Sequence, residues 1–142
     1  MKSIFNASVT LEELNRFSSN TLAAHLGIEI TAKGEDYLEA KMPVDHRTHQ
    51  PMGLLHGGAS VALAETLGSI AAYCTLDNTT KTCVGLEINA NHIKAVKSGF
   101  VIGVARAVHI GQRTQVWEIK ISNEQKELIC VSRITMAVID KR

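Results

Sequence analysis

Cysteine is scarce. Cys74, Cys83 and Cys130 are three, an odd number, with no close spacing. That argues against a disulfide framework or a zinc site and for reduced thiols in a cytoplasmic protein. Charge of one sign is lacking too: the net charge is +1, which gives no bulk electrostatic reason to expect nucleic acid or an anionic membrane surface as partner. The start, MKSIFNASVTLEE, has no apolar core of a signal peptide. No glycine-rich phosphate loop, serine-centred nucleophile elbow or dinucleotide fingerprint occurs. The helix expected at 58–75 has the length of a short membrane span. Its Gly, Ser and Thr residues and a central Glu make insertion costly.

What is present is ordinary in bulk: 142 residues, 45% hydrophobic and 20% charged, enough to bury one core without staples. Without linkers, repeats or low-complexity segments, the whole of 1–142 is expected to be one domain.

One stretch is not ordinary. Between His56 and Asp77 the only formally charged side chain is Glu65. The segment reads as a helix with Ala59, Val61, Ala62, Leu63, Ala64, Leu67, Ile70, Ala71 and Ala72 leaving no polar stripe, and such a helix is expected to be buried on all sides. A buried carboxylate costs several kcal/mol unless paired or protonated, so Glu65 calls for a function. Its neighbours on the helix face, Val61, Ala62, Gly68 and Ser69, are small, and the Ser69 hydroxyl could orient it. His56-Gly57-Gly58 precedes the helix. Glycines there let a ligand approach free N–H groups that polarise a carbonyl oxygen.

The remaining elements follow from caps and periodicity. Thr10-Leu-Glu-Glu13 has the form of a capping box, with Leu11, Leu14 and Phe17 at helical spacing, and Asn20 to Leu26 makes a second short helical piece ended by Gly27. This segment, 1–27, is expected to cover the edge or mouth of the core. Ile28 and Ile30, a turn at Gly34, then Leu38, Ala40 and Met42 predict a hairpin ended by Pro43. Asp45 to Pro51 is a polar loop. After the helix come four strands. In 82–93, Val84, Leu86, Ile88 and Ala90 alternate against Glu87, Asn89 and Asn91. The others are 100–110, then 114–121 after a turn at Gly111, and 128–139. Six strands with one long helix after the first hairpin give an α+β fold, an antiparallel sheet curved around the helix.

The histidines are otherwise uninformative. His46 and His49 have ligand-like spacing but no acidic or thiolate companion, and His25, His92 and His109 are scattered.

The runs QPMGLLHGGASVALAETLGSIA, VGLEINANHIKAVKSG and HIGQRTQVWEIKI closely resemble the hotdog-fold acyl-CoA thioesterases, over about Thr10 to Ile139. Within them the chain looks most like the bacterial branch of 1,4-dihydroxy-2-naphthoyl-CoA hydrolases of menaquinone synthesis and proofreading thioesterases of enterobactin synthesis. The resemblance implies Glu65 as catalytic base or nucleophile and the Gly57 N–H as donor to the thioester oxygen. It further implies Gln50 as an assisting amide, His56 as an imidazole in the same pocket, and Ser69 as an assistant to water or carboxylate. His92, Gly111 and Arg113 match its nucleotide-contacting region, with Lys94, Lys97 and Arg133 as further cations. Met52, Leu54, Ser60 and Tyr73 are candidates for an acyl pocket. Coenzyme A would be part of the substrate and no other cofactor is expected. An acyl carrier protein is the alternative carrier. A hotdog hydratase or dehydratase using His56 with Glu65, or a non-catalytic acyl-CoA-binding module, are the rival readings.

One consequence needs no family. Gly57 and Glu65 are eight residues apart, about 12 Å along a helix axis. Reacting groups must approach to about 3–3.5 Å, so one carbonyl cannot use both from one chain. The site is expected to be shared between two subunits of a homodimer; the family adds dimers of dimers, hence a homotetramer.

Overall fold

The computed structural model describes all residues, Met1–Arg142. Two short helices, α1 (Leu11–Phe17) and α2 (Leu22–His25), lead into a hairpin of β1 (Glu29–Lys33) and β2 (Tyr37–Pro43). The long helix α3 (Gly57–Cys74) follows, then β3 (Lys81–His92), β4 (Phe100–Ile110), β5 (Thr114–Asn123) and β6 (Leu128–Asp140). The strands form one sheet in the order β1-β2-β4-β5-β6-β3, antiparallel throughout, and α3 lies across β2 to β6. The α+β expectation and every expected strand are present. The Thr10–Glu13 capping box forms as read, although Phe17, expected on the buried stripe with Leu14, is exposed.

Helix and sheet meet through small residues. A Cβ on Gly68 would lie 2.7 Å from Ile134 Cγ2, so the bare backbone there sets how closely α3 sits on the sheet. Around that contact Leu63, Leu67, Trp117, Ile119, Ile121 and Ile134 are fully buried, each contributing about 1.5–3 kcal/mol of transfer free energy.

The sheet covers only one side of α3. Ala59, Leu63, Ala64, Leu67, Gly68, Ala71 and Ala72 are buried, whereas Gly58 and Glu65 are exposed and Val61, Ala62, Ser69 and Tyr73 are half-covered. The helix is therefore not enclosed on all sides, and Glu65 is not buried within the chain. Apolar residues on the open stripe hid this from periodicity.

The second departure is in β3. Its pairing with β6 slips between Gly85 and Glu87, leaving Leu86 as the extra residue of a β-bulge. A bulge exchanges the faces of a strand. Cys83 packs inward before it and Ile88 and Ala90 after it, while Val84 and Leu86, expected inside with Ile88, are 46% and 62% exposed.

A polar chain ties the sheet to the end of α3. The buried Trp117 Nε1–H donates to Gln115 Oε1 at 2.8 Å, and Gln115 Nε2–H donates to Thr75 Oγ1 at 2.9 Å. Replacing Gln115 by Ala orphans a buried indole N–H and opens a cavity, so unfolding in urea should show a loss of about 1–3 kcal/mol. An unchanged midpoint would remove this chain from the account of stability.

Candidate active site

The loop before α3 is held by its own backbone. Thr48, buried, donates its hydroxyl to Pro43 O at 2.7 Å, and the His56 N–H returns to Thr48 O at 2.8 Å. Gln50 closes a tight turn: its N–H donates to Leu54 O at 2.7 Å and its carbonyl accepts from Gly53 N–H at 2.9 Å. Gly53 takes φ +77°, the left-handed conformation that glycine adopts freely. The Gln50 side-chain oxygen accepts the Met52 N–H. That leaves the Gln50 amide NH₂ group as a donor without a loop partner.

His56 is the N-cap of α3, and its Nδ1 accepts the Gly58 N–H at 2.7 Å. An accepting Nδ1 places the ring proton on Nε2 in the neutral imidazole. The Ala59 and Ser60 N–H groups both donate to His56 O. The Gly57 N–H, first of the helix, has no acceptor within the chain. It faces His92, since a Cβ on Gly57 would lie 2.9 Å from His92 Nε2.

These groups line one cleft of about 320 Å³. Gln50, Gly57, Ser60 and His92 stand in its wall with Leu54 and Lys94. Sequence reasoning had named all six, but His92 only as a nucleotide contact. Lys94 is ion-paired with Glu127 at the rim.

Other assignments are not brought together. His56 turns to the opposite side of the helix start, into a second cleft with Ala59 and Ala62, and does not share the Gly57 cleft. Met52 sits 83% exposed on the loop tip. Tyr73 lies in the last turn of α3. Gly111 and Arg113 form the β4–β5 turn, where the Arg113 carbonyl accepts the Val138 N–H at 2.8 Å. That is the sheet end at which β3 begins, whereas His92 ends β3 beside Cys130. Arg133 points outward between buried Ser132 and Ile134, away from the cleft.

Glu65 stands apart, on the open stripe and over β3: a Cβ on Gly85 would meet its Oε1 at 3.4 Å. Ser69, one turn on, directs its hydroxyl to Met136 Sδ at 3.8 Å and not to Glu65. The bare backbone at Gly85 leaves the carboxylate room, a role that sequence reasoning missed although a glycine inside a strand signals close approach or a bulge. The thiols offer no rival nucleophile. Burial raises all three, Cys74 to about 11. Of the spaced histidines, His49 Nε2 bonds Lys97 O at 2.8 Å and His46 faces Asp45. No helix is long and apolar enough to cross a membrane.

Comparison with known proteins gives the family. Residues 52–130 match the model of the thioesterase superfamily. The proofreading thioesterase EntH of Cronobacter turicensis is 54% identical over 136 residues, 96% of this chain and 98% of EntH. The crystal structure of thioesterase HI1161 of Haemophilus influenzae superposes with a TM-score of 0.94 at 54% identity, covering 96% of this chain and 95% of that one. SAV0944 of Staphylococcus aureus, 40% identical, was solved as a glutamate-to-alanine variant, with a TM-score of 0.82 over 84% of this chain and 99% of that one. It was also solved as a glutamine-to-alanine variant, with a TM-score of 0.80 over 82% and 97%. Its two altered positions are as far apart in sequence as Gln50 and Glu65. The chain belongs to the thioesterase superfamily: it is a hotdog-fold thioester hydrolase.

Proposed function

We propose that the chain hydrolyses an aromatic acyl-CoA, of the dihydroxynaphthoyl kind in menaquinone synthesis, at sites built from two copies of the chain. One observation carries the two-chain reading: both halves of the site abut the same free strand. Glu65 lies over Gly85 and Gly57 lies against His92, at two points along β3, the unpaired edge of the sheet. The Leu86 bulge puts Gly85 and His92 on the same, helix-facing side of the strand. Antiparallel pairing of β3 with β3 of a second copy, about a two-fold axis near Asn89, sets Gly85 of each copy opposite His92 of the other. Glu65 then meets the other copy's Gly57 cleft, twice per dimer. The same two-fold brings the Gly111–Arg113 turn of one copy to the His92 end of the other, which fits a coenzyme A site drawn from both. A dimer of such dimers would give the family's tetramer.

In that site the Gly57 N–H and the Gln50 amide hydrogen-bond the thioester oxygen and draw charge from its carbonyl carbon. Glu65 of the other copy takes a proton from water as the oxygen adds to that carbon, or adds itself to form an anhydride that water opens. Either way the C–S bond breaks, coenzyme A leaves as thiolate, and the acyl group leaves as a carboxylic acid. A second copy would also cover the open stripe and enclose Glu65 in the shared site. Ser69, on the same stripe, could turn toward Glu65 or its water once that face is closed. The chemistry calls for no metal or cofactor beyond the substrate's own coenzyme A, and an acyl carrier protein would present the same thioester. A cytoplasmic site of action fits the three free thiols. The altered glutamine and glutamate of SAV0944, spaced as Gln50 and Glu65 are, support the same pair of roles.

Three outcomes are expected. Glu65→Gln should lower thiol release from benzoyl-CoA by about 10³-fold or more, the scale of removing a nucleophile or base together with its charge; a modest loss would disqualify Glu65. Glu65→Ala and Gly57→Pro chains, each inactive, should recover about a quarter of wild-type activity when mixed, because half the dimers are mixed and each has one intact site. No recovery although mass spectrometry shows mixed dimers would end the shared-site reading. Gly57→Ala should lower the melting temperature by pressing on the His92 ring, and adding His92→Ala should restore much of the loss; equal additive losses would separate the two residues.

A further inference from the structure

Thr48, Ser60, Gln115 and Ser132 are the buried polar side chains of this chain. All but Ser60 have their partners. Thr48 donates to Pro43 O at 2.7 Å, Ser132 donates to Asn89 O at 2.8 Å, and Gln115 links Trp117 to Thr75. Ser60 is 1% exposed, and its hydroxyl bonds to no group of the chain. A helical serine ordinarily turns to the carbonyl four residues back. Here that carbonyl is His56 O, which already takes the Ala59 and Ser60 N–H groups at 2.9 and 3.2 Å. A buried hydroxyl without a partner destabilises a fold, so this one points to a partner from outside the chain.

Ser60 lines the cleft of Gln50, Gly57 and His92. It lies three residues past Gly57 on the same face of α3, where such neighbours are about 5–6 Å apart. An oxygen held on the Gly57 N–H leaves room within that span for a nucleophile at about 3–3.5 Å from the carbonyl carbon. A water in that place has two hydrogens to dispose of. Glu65 of the second copy takes one, and the other needs an acceptor. The cleft has two side-chain oxygens, and Gln50 Oε1 already accepts the Met52 N–H, which leaves Ser60 Oγ. The Gly57 N–H, the Gln50 NH₂ group and Lys94 can only donate. His92 stands against Gly57, at the end where the carbonyl oxygen would lie.

Resting on the two-copy thioesterase reading above, we propose that Ser60 is a further catalytic residue, one that holds the attacking water. Its Oγ accepts one hydrogen of the water while Glu65 of the other copy takes the other as a proton. The water oxygen bonds to the carbonyl carbon, and the C–S bond breaks. The hydrogen held by Ser60 stays on that oxygen in the product acid, and the serine transfers no proton of its own. Of the two routes open to Glu65, this is the one through water. Ser60, expected from the sequence among the acyl contacts, touches the nucleophile instead.

The test is Ser60→Ala in the full-length chain, which removes only the hydroxyl and improves helix propensity. Its melting temperature should equal or exceed that of the wild type, because no bond within the chain is lost. Its kcat for benzoyl-CoA should fall about tenfold or more with KM unchanged, the scale of one hydrogen bond made in the transition state. Added to Glu65→Gln, it should cost far less than tenfold, because the two groups act on one water. Calorimetry should find benzoyl-CoA bound equally well by Glu65→Gln and by the double variant. An unchanged kcat beside an inactive Glu65→Gln, or a loss that adds in full, would overturn the Ser60 assignment alone. Weaker binding by the double variant would put the hydroxyl on the substrate, and a lower melting temperature would make it structural; either overturns the assignment. Wild-type thiol release that survives Glu65→Gln would sink the Glu65 reading beneath it.

Discussion

One curved sheet can cover only one side of a helix, and much else in this chain follows from that. The covered side of α3 is seated through Gly68 against Ile134, close enough that no side chain fits between them. The uncovered side carries Val61, Ala62 and Ile70 beside the helix's only charge, Glu65. Water tolerates such a stripe poorly, while a charge left there is cheap until something covers it. A second copy laid on the stripe changes both terms at once. It would remove apolar surface from water and set small residues around the carboxylate, so association and assembly of the proposed site would be a single event.

The strand, helix and cap positions were legible because their causes are local. Capping boxes, alternation and glycine at turns act within a few residues, and the elements run where those signals put them. The site was legible in its ingredients. Glu65 stands out as a lone charge, and Gly57 as the first residue of a helix with a free N–H. Eight residues of helix between them showed that one chain could not use both.

What could not be read depended on contacts between distant segments. Alternation across Val84–Ala90 assumes an unbroken strand, and one unpaired residue at Leu86 turns half of it over. His92 was one histidine among six until the end of β3 was seen to lie against the start of α3. The direction of His56 was hidden for another reason. The residue before a helix can cap it with its own side chain, and the Gly58 N–H draws the ring away from the cleft that its neighbour Gly57 lines. The extent of burial of Glu65 was misjudged because an apolar helix face looks the same in sequence whether it meets its own sheet or another chain.

The bulge in β3 has a consequence for how this protein can change over generations. Loops on the surface accept insertions and deletions freely, because nothing depends on their count. The stretch from Gly85 to His92 is different, since its parity decides which side chains look toward the helix. Loss of Leu86 would leave every residue in place by name and invert half the strand, turning either Gly85 or His92 outward. Drift in this family can therefore exchange letters along β3, but the number of letters between those two positions is held fixed, like the reading frame of a message.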